Sequence, residues 1–94
     1  MVCFIILHYK CVDNTFVCID SIIQNCKKGA FKIIVVDNAS PDKSGELLLI
    51  RYKHQEDIDI LHNTINIGFS GGNNLGCNYA IGKYNPNYLC VMNN

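Results

Sequence analysis

Four apolar runs divide this chain. Val2 to Leu7 is apolar without interruption, the pattern of a strand buried on both faces. Phe31 to Val36 is a second such run, dominated by β-branched residues that favour strands. Ile58 to Leu61 makes a third, shorter strand and Tyr88 to Met92 a fourth. Between them the apolar positions fall at helical spacing. Phe16, Ile19, Ile22, Ile23 and Cys26 form one stripe, with Asp13 placed to cap its start and Lys27, Lys28 and Gly29 to end it. Ser40-Pro41 reads as a cap with proline at the first helical position, opening a helix whose apolar side is Leu47, Leu48, Ile50 and Tyr52. Ser70 opens a third helix that runs to about Gly82.

The order is therefore β-α-β-α-β-α-β. Strands this apolar, joined by helices, predict an α/β fold: a parallel sheet covered by helices on both faces, with right-handed crossovers. Residues 1–94 make a single domain at most. In such sheets ligands bind beyond the carboxyl ends of the strands, near the point where strand order reverses. The segments that follow the strands, "HYK", "DNASPD", "HNTINIGFSGGNN" and "NN", are where chemistry is expected.

Composition narrows the partners. Eight basic and eight acidic residues leave no net charge, which argues against a nucleic-acid footprint or an anionic-lipid surface. No stretch approaches the roughly 20 apolar residues of a membrane span. Met1 to Leu7 has no basic leading region and is too short for a signal-peptide core, so the chain is expected to be cytoplasmic. The six cysteines include no CxxC pair and no zinc spacing, and Cys3 and Cys90 sit inside apolar runs; reduced, structural thiols are expected. Twelve residues are Asn, so a single Asn says little by itself.

In "IIVVDNASPD" four apolar residues lead straight to Asp37. Two readings fit it: a carboxylate at the mouth of the ligand crevice, or a turn-forming Asp. Because Ser40 and Asp42 are read as caps of the next helix, Asp37 is expected to be left free. In "NIGFSGGNNLG", Gly68, Gly71, Gly72 and Gly76 cluster at a loop-to-helix junction, where backbone can approach an anion such as a diphosphate. The spacing is neither GxGxxG nor GxxxxGK[ST]. Gly72, Gly76 and Ala80 recur every fourth residue; close helix–sheet packing accounts for Gly76 and Ala80 but not for Gly71-Gly72 beside Asn73 and Asn74. Tyr9 after the first strand is either a boundary tyrosine or a ring for a flat ligand, where stacking contributes about 1–3 kcal/mol for a nucleobase. His8 has no sequence neighbour that would make it a catalytic base. His54 and His62 are expected to be surface or strand-end residues.

"FIILHYK", "IIVVDNASPDKSGELL", "NIGFSGGNNLG" and "YLCVMNN", in this order, resemble the nucleotide-binding half of family 2 glycosyltransferases of the GT-A, Rossmann-like fold. The rhamnosyltransferase-like branch that builds surface polysaccharides is the most similar. The resemblance spans essentially the whole chain. It implies a nucleotide-diphospho-sugar donor, UDP- or dTDP-linked, and an inverting transfer of a hexosyl or deoxyhexosyl group to a saccharide or lipid-linked acceptor. It places Tyr9, with His8 beside it, against the base, and gives Asp37 a hydrogen bond from base or ribose. Asn38 and Ser40 would shape that loop; Asn66, Gly68, Gly71, Gly72, Asn73 and Asn74 would line the ribose and diphosphate.

In this family the fourth strand ends in a DxD-type motif holding Mg²⁺ or Mn²⁺. Asn93 and Asn94 match its first two positions, and the main Asp ligand would follow Asn94. Asn93 alone is a poor hard-cation ligand, so this stretch is expected neither to hold the metal nor to transfer sugar by itself. The acceptor site, the general base and any peripheral contact with the inner face of a membrane would belong to a following half. The fourth strand is expected to be an unprotected edge. Three other readings stay open. A receiver domain lacks its acidic pair and lysine here, a dinucleotide-binding domain lacks its glycine spacing, and a non-catalytic, truncated nucleotide-binding module is the rival to the enzyme.

Overall fold

The computed structural model describes residues 1–92. Four strands form one sheet: β1 (Val2–His8), β2 (Phe31–Asp37), β3 (Ile58–His62) and β4 (Tyr88–Met92). Helices α1 (Val12–Asn25), α2 (Ser44–Tyr52) and α3 (Gly68–Tyr84) connect them. The spatial order is β3-β2-β1-β4 and every pairing is parallel, as the strand and helix pattern predicts. Asn93, expected at the metal position, lies outside the described residues.

Alternation along the strands divides the core in two. Phe4 and Ile6 of β1 and Phe31, Ile33 and Val35 of β2 face Ile19 and Ile22 of α1 and Leu48 and Tyr52 of α2. Cys3 and Ile5 and, one strand over, Ile34 and Val36 face Ala80 of α3. Chain direction follows from this. β1 to β2 to β3 advances one way with α1 and α2 on one face; α3 then crosses back over the other face to set β4 beside β1. The strand order reverses between β1 and β4.

Register carries the polar ends. His8 pairs with Asp37 and Asp37 with His62, so three polar side chains line up at the carboxyl ends of β1, β2 and β3, on the α1/α2 face. At the opposite side of the sheet, Asp59 of β3 accepts hydrogen bonds from Tyr79, Lys83 and Tyr84 of α3, clamping the helix to the edge strand. Burial opposes ionisation of Asp59, but those three donors together hold its carboxyl below the usual range. Among the described strands β4 lies at one end of the sheet, with Tyr88 and Val91 exposed.

Helix starts differ from the sequence expectation. α1 begins after Cys11, which is left-handed (φ 53°) and gives no side-chain cap; Asp13 is inside the first turn, where its charge favours the helix N-terminus. α2 begins at Ser44 rather than after Ser40. Ser40 donates its backbone N–H to Asp37 Oδ1 and its Oγ accepts from Lys10 N–H, so the segment turns before it can wind. Asp42 does act locally, accepting from Ser44 N at 3.1 Å. α3 begins at Gly68, two residues before Ser70, and ends at Tyr84.

Candidate functional site

The reversal between β1 and β4 leaves a cleft of about 370 Å³ at the carboxyl ends of the strands. That is where a doubly wound sheet binds its ligands. Leu7, Tyr9, Lys10 and Cys11, at the end of β1 and in the turn after it, form one wall. Asn14 of α1, Phe69 of α3 and Met92 of β4 complete the lining. Between β1 and α1 there are only Tyr9, Lys10 and Cys11, so the chain must reverse quickly. It does so with two consecutive left-handed residues, Lys10 (φ 58°) and Cys11 (φ 53°). Each such non-glycine residue costs on the order of 1–2 kcal/mol, which neighbouring contacts must offset. The bond from Lys10 N–H to Ser40 Oγ, 3.1 Å long, is one of them.

The cleft is aromatic on two sides. Tyr9 is 45% exposed and Phe69 61%, unusual for rings that could have been buried in so small a protein. Among the described residues Lys10 is the only charged one on the lining, so the cleft suits a ligand that is flat at one point and anionic at another.

The other sequence-predicted site residues fall into separate roles. His8 is fully buried, with Nδ1 2.7 Å from Thr15 Oγ1 and Nε2 2.6 Å from Ser44 Oγ. It ties the first turns of α1 and α2 to the end of β1 and is not among the residues that line the cleft. Burial pushes the imidazole's pKa down, against the opposing pull of Asp37 and Asp42.

Asp37 is not left free, because the turn at Ser40 takes its Oδ1. It is 6% exposed, and its Oδ2 lies 3.3 Å from His62 Nδ1. Gly45 packs directly over it; a Cβ there would collide with Oδ2 and come within 2.8 Å of Cγ. The carboxylate faces the first turn of α2, outside the cleft lining. Asn38 is 2% exposed and is a three-way tie: it donates to Gly68 O and accepts from Ile67 N and Asn63 Nδ2. Ser40, through Lys10, joins the two loops at the cleft's edge.

The glycine- and asparagine-rich segment divides likewise. Asn66 Oδ1 accepts from Gly68 N at 2.8 Å, and Gly68 takes φ 82°, a conformation that excludes most side chains. Contrary to the sequence expectation, packing does account for Gly72: a Cβ there would strike Leu7 Cδ1. Gly71 is less constrained: a Cβ there would come 3.2 Å from Ile67 Cγ1, a tight contact within the start of the same helix. Asn73 is buried, with no hydrogen-bond partner for Oδ1 among the described residues, and Asn74 is exposed. The structure thus brings Tyr9 into the cleft and puts Ser40 behind it, while Asp37, Asn38, Asn66 and Gly68 brace the surrounding loops.

Several cleft residues escaped the sequence reading. Lys10, Cys11 and Met92 were marked only by following or ending a strand, and Phe69 by standing inside "NIGFSGG". His62 and Gly45 gave no signal, since their roles depend on register with Asp37. Among the described residues no group of His, Cys, Asp and Glu could hold a metal ion. The Mg²⁺ or Mn²⁺ that the resemblance implies thus finds no ligand set among them. No helix among these residues is long and apolar enough to cross a membrane.

No curated protein matches the chain. A family profile described as "Glycosyl transferase family 2" matches residues 3–94. The α/β fold with its all-parallel four-stranded sheet is consistent with the nucleotide-binding half of that family, which implies a nucleotide-sugar donor in general terms. With nearly every residue inside the match and the cleft where such a sheet binds ligands, the chain belongs to glycosyl transferase family 2.

Proposed function

We propose that the cleft between β1 and β4 binds the nucleoside-diphosphate part of a UDP- or dTDP-linked sugar. The transfer it serves is that of a hexosyl or deoxyhexosyl group, with inversion, to a saccharide or lipid-linked acceptor. The rhamnosyltransferase-like branch, surface polysaccharide synthesis and a place on the cytoplasmic side of a membrane belong to the same reading. One observation carries it: two exposed rings, Tyr9 and Phe69, and one cation, Lys10, line a single cleft where the strand order reverses. A pyrimidine base stacks on a ring and a diphosphate meets the cation. In this reading Asp37 and Asn38 act by bracing the loops around the cleft, while Gly71, Asn73 and Asn74 lie toward the ribose and diphosphate.

A second reading, binding without transfer, draws on the chemistry of the lining. Among the described residues none on the lining is Asp, Glu or His, the side chains that most often act as a general base. Sugar transfer by this chain alone would refute that second reading.

Cys11 gives a direct test, being the one cysteine classed as exposed and also part of the lining. Its alkylation by iodoacetamide, followed by peptide mass mapping, reports occupancy of the cleft. Bound UDP or dTDP is expected to slow modification of Cys11 while leaving that of Cys26, at the far end of α1, unchanged. An unaltered Cys11 rate at millimolar UDP would refute the site.

A further inference from the structure

Lys10 shares its surface with the ring assigned above to the base. Its Nζ lies 5.3 Å from the centroid of Tyr9, within the roughly 6 Å over which a cation is drawn to an aromatic face. The lysine backbone is held, by its N–H bond to Ser40 Oγ and by two successive left-handed residues. The side chain is exposed and carries a flexible four-carbon arm. Among the described residues no acidic side chain lines the cleft, and none of the ion pairs involves Lys10. Among the described residues, then, the partner of this ammonium is the Tyr9 ring.

We infer that Lys10 is a two-position specificity residue: it covers Tyr9 when the cleft is empty and turns to the diphosphate when a nucleotide enters. The inference rests on the nucleotide reading of the cleft. A base that stacks on Tyr9 must first displace the ammonium. A nucleoside offers that ammonium nothing in return. A nucleoside diphosphate offers it phosphate oxygens, and charge-assisted hydrogen bonds are about twice as strong as neutral ones. Stacking and charge recognition become one event. The cleft thereby rejects free nucleosides and accepts diphosphates without any change of fold.

Titration calorimetry with uridine and with UDP, on the wild-type chain and on Lys10→Met and Lys10→Arg, tests this. EDTA is kept in the buffer so that no divalent ion substitutes for the lysine. Lys10→Met is expected to weaken UDP by about tenfold, the scale of one hydrogen bond to a charged group. The same variant is expected to bind uridine about twofold to fivefold more tightly, the strength of an exposed cation–π contact released. Lys10→Arg is expected to keep both wild-type preferences. UDP not weakened, or uridine not tightened, in Lys10→Met overturns the inference. If wild type binds neither ligand, the nucleotide reading itself fails, an outcome separate from any behaviour of the variants. Circular dichroism of Lys10→Met, at an exposed position, establishes that it is folded.

Discussion

Three glycines on α3 are chemically identical and should respond to the same substitution in opposite directions. In a helix interior, Gly→Ala by itself stabilises by about 1 kcal/mol, because alanine loses less backbone freedom on folding. What differs is the space around each Cβ. At Gly82 a Cβ meets nothing within 4 Å, so Gly82→Ala should gain about 0.5–1 kcal/mol, slightly reduced by its place in the last turn. At Gly76 a Cβ would come 2.7 Å from Ile5 Cγ2 and 3.0 Å from Val36 Cγ2. Both are methyls of β-branched, fully buried strand residues that have no rotamer to retreat to. Overpacking of that kind costs about 1–3 kcal/mol against the gain of about 1, so Gly76→Ala should be net destabilising by up to about 2 kcal/mol. At Gly72 the obstacle is Leu7 Cδ1, the end of a partly exposed side chain that can turn away, and the two effects should nearly cancel. Urea unfolding of the three variants, with equal m-values, reads the differences directly. In thermal melts of a domain this size each kcal/mol appears as roughly 4–8 °C. The reasoning fails if Gly76→Ala is as stable as wild type, or if the order Gly82, Gly72, Gly76 is not recovered.

Tyr9→Ala and Phe69→Ala should each weaken UDP binding by about 1–3 kcal/mol without loss of stability, since both rings are exposed; calorimetry and a melt together check this. Asn38→Ala removes three hydrogen bonds that hold the segment from Asn63 to Gly68. It should cost about 2 kcal/mol and raise amide hydrogen exchange at Ile67 and Gly68 ahead of the strands; unchanged protection there would contradict the assigned role. His8 makes stability depend on pH. Its folded pKa is lowered, so below about 6.5 the unfolded chain takes up a proton that the buried imidazole resists, and stability is lost as pH falls from there toward the folded value. His8→Gln should flatten the unfolding free energy across that window, and an identical slope in variant and wild type would refute it.

Much of this protein follows from local sequence. Continuous apolar runs such as Val2 to Leu7 specify strands buried on both faces, and helical spacing between them specifies crossovers, because periodicity is a property of neighbours in the chain. The position of Tyr9 just past β1 was legible for the same reason. The spacing of Gly72, Gly76 and Ala80 announced a bare helical ridge, although only the packed structure shows Leu7 filling the space at Gly72. Capping was read less well. Ser40-Pro41 has the composition of a helix start, but its hydrogen bonds go to Asp37 and Lys10, and Lys10 is thirty residues away in sequence. Asp37 and His8 show the same limit. Asp37 was expected to be free and His8 showed no partner within sequence reach, yet parallel register sets both on the α1/α2 face, under the first turns of those helices. Whether a polar side chain meets ligand or protein depends on which face it takes and what packs over that face. The sequence by itself determined the elements, their order and the end of the sheet where a ligand would sit. Only the tertiary structure decided which residues there are walls and which are braces, because that choice is made by contacts between segments far apart in the chain.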